Sequence, residues 1–238
     1  VRRTLKGMNT PPPRVRFYID AFNFYYGSLK QFDPITQARV TGVCWLDLAA
    51  LCGLIMPRDR PYQIDEIKYF TARIRADAAD PTPNTRTRQE VYLRALTSTT
   101  PALSIIYGKY KISKVKGWPT DPTLAATHPI VQIRKPEEKG SDVNLGIHMV
   151  RDAALNAADV LAVISDDSDI AGAFDIVSND FGKEVYYFAS ANRKPNTTLK
   201  TKASLTRSIH ISAIRGSQFP DPIIDPISRA VITKPVTW

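Results

Sequence analysis

A three-layer α/β/α sandwich around a central, mainly parallel sheet is the fold this sequence predicts, on three observations. Short apolar runs rich in β-branched and aromatic residues recur without polar alternation, as strands covered on both faces do. Helical patterns lie between them, and that alternation implies right-handed crossovers. With 238 residues and 43% hydrophobic content, the chain can fill one such core.

Taken in order, residues 1–13 are expected to form an N-terminal tail: Val1 stands first, and the Pro-rich TPPPR follows Met8. The domain proper is expected over 14–214, and its first strand over Val15–Ile19. Trp45, Leu48, Leu51 and Leu54 recur at helical spacing and place Cys44 and Cys52 on one helix, too separated for an easy disulfide. With no clustered Cys/His spacing around them, both are expected as reduced core residues. Weaker strands are expected at Ile64–Thr71 and Leu103–Tyr107, with a helix over Arg86–Leu96 between them. Residues 108–129 break the rhythm with Lys, Pro and Trp and read as a basic excursion, a hairpin arm. Val143, Ile147, Val150 and Ala154 mark the next helix; Val160–Ile164 and Val185–Phe188 are the strongest remaining strands. Residues 215–238 are Pro-rich and apolar without period, an extended C-terminal tail expected to pack on the domain or on a partner, which allows a homodimer.

The net charge of +9 is segregated. No acid occurs between Glu90 and Asp121 or between Glu184 and Asp221, whereas acids concentrate from Glu137 to Asp180. A basic surface around an acidic centre suits a polyanion held by its backbone while cations sit at the acids. Solvated faces alone produce the same segregation. No apolar run approaches the roughly 20 residues of a membrane span and no secretory leader is recognisable, so a cytoplasmic protein without membrane contact is expected.

The acids themselves carry the functional signal. Asp20 follows the first strand directly, and Asp167 and Asp169 follow Val160–Ile164. Asp142 follows the extended IVQIRKPEEKGS and opens a helix, so it too is expected at a strand exit. Carboxyl ends of parallel strands share one sheet edge, where crevices form, so the four acids should converge there. Asn23, just beyond Asp20, would point to the same place. Hard oxygen ligands of this kind suit Mg²⁺ or Mn²⁺, while the scattered His128, His148 and His210 argue against zinc. Each acid taken singly reads equally well as a helix cap.

FYIDAFNFYYG at the start, EEKGSDVNLGIHMVRDA in the middle and VISDDSDIAGAFDIVSNDFGKEVYYF towards the end together resemble an NYN domain of the PIN-like ribonuclease superfamily. WLDLAAL at Trp45 and RQEVYLRAL at Arg88 resemble it too, so the likeness spans about 14–214. It implies that Asp20 and Asn23 match the first motif, Lys139, Gly140 and Asp142 the second, and Asp167 and Asp169 the third. The sequence departs from the family where Asp166 stands in place of the usual Gly; of Asp166 and Asp167, the second is expected to face the metal. Resemblance implies a ribonuclease dependent on one or two Mg²⁺ or Mn²⁺ ions, with Asp20, Asp142 and Asp167 as ligands and Asp169 direct or outer. Water would attack the phosphate in line, leaving a 5′-phosphate and a 3′-hydroxyl. Lys139 would contact phosphate, and Gly140 would let the backbone approach closely.

Lys109, Lys111, Lys114 and Lys116 interleave with Tyr107, Tyr110 and Trp118, a pairing suited to single-stranded RNA, and Arg134 and Lys135 precede the acidic motif. An exposed hairpin with inward aromatics gives the same pattern. Tyr25 and Tyr26 read as core on one side and substrate wall on the other, with core the favoured reading. A catalytically weak module that binds RNA or a protein is the alternative. A haloacid dehalogenase-type phosphatase lacks support, since Phe22 stands where a second Asp is needed.

Overall fold

The computed structural model describes residues 11–30, 42–75, 84–191, 193–236 and 238. Its strands are β1 (Arg14–Asp20), β2 (Gln63–Thr71), β3 (Leu103–Tyr107), β4 (Lys109–Gly117), β5 (Val131–Lys139), β6 (Val160–Ile164), β7 (Glu184–Ala189), β8 (Leu205–Ser208), β9 (Ile223–Ile224) and β10 (Val231–Ile232). Its helices are α1 (Ala21–Phe24), which runs on into a π-helical turn at Tyr25–Leu29, then α2 (Leu48–Ile55), α3 (Thr85–Thr99), α4 (Pro122–Thr127), α5 (Ser141–Ala154), α6 (Ala171–Asn179), α7 (Thr197–Lys202) and α8 (Ile211–Gly216).

Six strands form the central sheet in the order β3-β2-β1-β6-β7-β8, and every neighbouring pair is parallel. The apolar run VLAVI is β6, buried at all five positions because helices cover both of its faces. Alternation along β1 separates two cores. Phe17 and Ile19 join Trp45, Leu51 and Leu96 on the α2/α3 side; Tyr18 joins Leu145, Met149 and Phe174 on the α5/α6 side. From β1 the chain builds outward through β2 and β3, then returns to β1's other edge and builds outward through β6, β7 and β8. That reversal makes the carboxyl ends of β1 and β6 the place where a crevice opens.

The basic excursion is an antiparallel hairpin. β4 pairs with β5 over nine registered positions, from Lys109↔Lys139 to Gly117↔Val131, with α4 at the tip behind its Asp121 cap. Its root docks on the body through Tyr110, whose ring stacks on Phe22 with the centroids 6.3 Å apart.

Several expectations are corrected. β5, which leads to Asp142, belongs to this arm and not to the central sheet. Cys44 and Trp45 precede α2, which starts only at Leu48 behind the Asp47 cap, so Cys44 and Cys52 do not share a helix; both are buried and neither forms a disulfide. On α5 the expected stripe is the wrong one: Val143 and Ile147 are exposed, while Leu145, Met149 and Ala153 are buried. Two apolar stripes compete on that helix, and the one with Leu145, Met149 and Ala153 packs on the sheet. β8 was not foreseen because LTRS carries little apolar content.

In the C-terminal stretch, Phe219, Ile223 and Ile232 are buried in the α2/α3-side core. The Trp45 indole donates to the Pro220 carbonyl at 3.0 Å. The expected tail at residues 1–13 lies outside the described residues up to Thr10. Among the described residues, no helix is long and apolar enough to cross a membrane.

Candidate metal centre

Asp142 lies in the first turn of α5 and owes its place to Gly140, which adopts φ +89° at the turn from β5 into the helix. A Cβ on Gly140 would meet nothing within 4 Å, so left-handed backbone, not close approach, is why glycine stands there. Close approach is instead required at Gly108, where a Cβ would come within 2.5 Å of Glu138 Oε1 and 2.7 Å of the Lys139 carbonyl. Glu138 in turn accepts from the Ser141 N–H at 3.0 Å and hydroxyl at 2.6 Å, tying the arm's root to the start of α5.

Asp167 and Asp169 leave β6 around a short 3₁₀ turn, Ser168–Ile170, in which Asp167 Oδ1 accepts from the Asp169 N–H at 3.0 Å. One carboxylate oxygen from each of Asp142, Asp167 and Asp169 lies within 4.8 Å of the others. The group could hold a metal ion. Among the described residues none of the three forms an ion pair with a Lys or Arg, and the donor set is oxygen only, the environment a hard divalent cation suits.

Asp166 faces elsewhere. Its carboxylate accepts from the Tyr187 hydroxyl at 2.7 Å and from the Ser190 N–H at 3.3 Å. Its own N–H donates to Asn23 Oδ1 at 2.9 Å, so Asn23 ties α1 to the loop after β6 and its carboxamide oxygen is engaged.

Asp20 stands outside the three-acid group but lines the same crevice, with Asn23, Lys139, Asp142, Asp167 and Arg193. It caps α1, Oδ1 accepting from the Asn23 N–H at 3.0 Å, and is 7% exposed. Burial raises its carboxyl to about 6; the Asn23 N–H opposes that shift, and the charges of Glu138 and Asp167 add to it.

Tyr26, expected as core, is 53% exposed and forms part of the crevice wall beside Phe22, because the π-helical turn rotates it outward. Glu138 and Arg193 are crevice residues that sequence reasoning did not single out. Glu138 sits two residues before Gly140 inside the quoted acidic motif, a legible signal; Arg193 had only its place in a long acid-free stretch.

The arm's basic residues divide between its two faces. Alternation puts Lys109, Lys111, Lys135 and Lys139 on one side and Lys114, Lys116 and Arg134 on the other, with Tyr110 and Glu138. Glu137 binds two of the first set, Lys135 at 2.6 Å and Lys139 at 3.4 Å.

The family model of the NYN domain matches residues 76–212, more than half of the chain. The chain belongs to this family. The matched span contains Asp142, Asp167 and Asp169 but not Asp20 or Asn23. The NYN protein described here is also similar to 6-hydroxy-3-succinoylpyridine 3-monooxygenase HspA of Pseudomonas putida (strain DSM 28022 / S16), 30% identical over 97% of this chain and 77% of that protein. A solved structure of a protein of unknown function from Vibrio parahaemolyticus matches at 15% identity over 83% of this chain and 93% of that one, with a TM-score of 0.49.

Proposed function

We propose that this NYN protein is a Mg²⁺- or Mn²⁺-dependent ribonuclease acting on single-stranded RNA. The observation that carries the reading is the group Asp142, Asp167 and Asp169, gathered at the sheet's switch point without an ion-pair partner among the described residues. A divalent ion held by these carboxylates would supply positive charge to the scissile phosphate and an acidified water. In the overall step, a bond forms from water oxygen to phosphorus in line with the departing 3′-oxygen. The P–O3′ bond breaks, the 3′-oxygen gains a proton, and a 5′-phosphate remains.

The chain's own groups bind and orient. Lys139 and Arg193 bring cationic side chains to the crevice rim, suited to flanking phosphates. Asp20 holds the N-terminus of α1, and with it Phe22 and Tyr26, against the crevice. The arm's exposed lysines extend a phosphate-binding surface away from the acids.

End-labelled single-stranded RNA incubated with Mg²⁺, Mn²⁺ or EDTA tests the reading, with Asp167→Asn alongside. Cutting that needs metal and is lost in the variant is the expected result. RNA retained but never cut would replace it with a binding module.

A second reading comes from the relative named as a monooxygenase, since its similarity runs across nearly the whole chain. Monooxygenation inserts one oxygen atom of O₂ into the substrate and sends the other to water, consuming two electrons from a reductant. Mass spectrometry of a hydroxypyridine acid incubated with the protein, O₂ and a two-electron reductant decides it: a gain of one oxygen atom, dependent on the protein, favours this reading over hydrolysis.

A further inference from the structure

A second cavity, of about 160 Å³, opens on the α2/α3 side of the sheet and is separated from the acidic crevice only by α1: Phe22 and Tyr26 line both. Six aromatic rings line it, those of Phe22, Tyr25, Tyr26, Tyr69, Tyr92 and Trp238. Apolar cavities of roughly 150 Å³ take a benzene-sized ring, so the space fits one planar ring and excludes a larger fused system without rearrangement of the walls.

Polar atoms in the wall show what that ring must offer. The Tyr92 hydroxyl donates to the Leu46 carbonyl at 2.9 Å. The Gln89 carboxamide is engaged at both ends, accepting from the Ile74 N–H and donating to the Ala72 carbonyl, each at 2.9 Å. The Tyr69 hydroxyl, by contrast, has no hydrogen-bond partner among the described residues, although Tyr69 is only 8% exposed. Lining the cavity, that hydroxyl is available to donate to a ligand that offers an acceptor. Burial, followed by the charges of Asp20 and Cys44, pushes the phenol's pKa up, so the group stays protonated and can donate. Arg88 and Lys30 also line the cavity, and the Lys30 ammonium sits 5.1 Å from the Tyr26 ring centroid.

We infer that this cavity binds one planar heteroaromatic ring, whose ring nitrogen or carbonyl accepts from the Tyr69 hydroxyl, with an attached anionic group leading over Phe22 and Tyr26 to the acidic crevice. The inference rests on the proposed phosphodiester chemistry only for the case in which the ring is a pyrimidine base and the anion its phosphate. The same chemistry is offered by a free heteroaromatic acid. Ring and anion at the two ends of one wall make the cavity a specificity subsite for the crevice: it selects the nucleotide, or the molecule, presented to the acids.

The test is ligand binding by the full chain in EDTA, where no hydrolysis interferes. Uridine 5′-monophosphate, nicotinate and ring-less ribose 5-phosphate are titrated and followed by intrinsic fluorescence and by thermal shift. Binding of either ring-bearing probe, with ribose 5-phosphate at least tenfold weaker, is expected; which probe binds more tightly identifies the source of the ring. Tyr69→Phe should weaken the ring-bearing probe about tenfold while leaving the Tm of the free protein unchanged or higher, a combination that a structural role for the hydroxyl cannot give. Asp167→Asn should still bind the ring-bearing probe, no more weakly than wild type because one repelling charge is gone, so loss of cutting with ring binding retained separates the two readings. No binding of either probe, equal binding of ribose 5-phosphate, or unchanged affinity in Tyr69→Phe overturns the inference.

Discussion

The Tyr187 hydroxyl donates to Asp166 Oδ1 at 2.7 Å, and that bond divides the three acids after β6 into one that braces the fold and two that group with Asp142. Tyr187 also accepts from the Asn196 N–H at 3.0 Å, linking the loop before α7 to the same point. Tyr187→Phe therefore leaves a carboxylate oxygen and an N–H short of partners. The expected cost is about 1–3 kcal/mol in urea denaturation, with Mn²⁺ affinity by calorimetry unchanged. A large loss of metal affinity would put Asp166, not Asp167, in the crevice.

Three carboxylates within 4.8 Å repel one another whenever no cation is bound. Asp167→Asn keeps the acceptor that caps the 3₁₀ turn but removes one charge. In EDTA its Tm should rise by roughly 2–4 °C, the shift that about 1 kcal/mol of relieved repulsion gives in a chain of this size. Added Mn²⁺ should stabilise the wild type and not the variant. A lower Tm in EDTA would contradict the charge argument.

Beneath the sheet, Asp152 is 1% exposed and gathers Lys68 at 2.5 Å, Arg16 at 3.1 Å and the Tyr18 hydroxyl at 2.7 Å. Burial alone would raise its carboxyl pKa, but the bonds from Lys68 and Tyr18 and the charges of Lys68 and Arg16 hold it below the ordinary value. Lys68→Met should cost about 3 kcal/mol, because it strands part of a buried charge. Adding Asp152→Asn should recover much of that loss. Double-mutant denaturation measures the coupling, and additive losses would show the pair to be independent.

His148 packs edge-on against Phe70, with ring centroids 5.5 Å apart, and its buried Nδ1 has no hydrogen-bond partner among the described residues. Burial, then the charge of Lys68, lowers its pKa against the opposing pull of Asp152. The unfolded chain thus takes up a proton near pH 6.5 that the folded chain resists. The sign follows: this contribution to stability is fully present above about pH 6.5 and falls as pH drops through that value toward the lower folded pKa. Denaturation at pH 8, 6.5 and 5 should show the decline, and His148→Phe should flatten it. An equal decline in the variant would assign the acid limb to carboxylates.

What the sequence by itself determined was the set of buried strands and the order of the acids. VLAVI and RVRFYI need two covered faces wherever they lie, so their place in a parallel sheet could be read from composition alone, as could Asp167 and Asp169 at a strand exit. Only the tertiary structure decided which atoms meet. Asp166 and Asp167 are adjacent and chemically identical; Tyr187, 21 residues past Asp166, claims that one because parallel pairing sets β7 beside β6. α5 carries two apolar stripes, and only the sheet beneath it chooses Leu145 and Met149 over Val143 and Ile147. Tyr69 is likewise an ordinary strand residue until α1 and α3 close around it and leave its hydroxyl, among the described residues, without a hydrogen-bond partner. Periodicity records which residues avoid water, a property of each side chain and its near neighbours. Pairing between distant carboxylates, hydroxyls and amides depends on how the layers are stacked, and that is fixed only when the whole chain has packed.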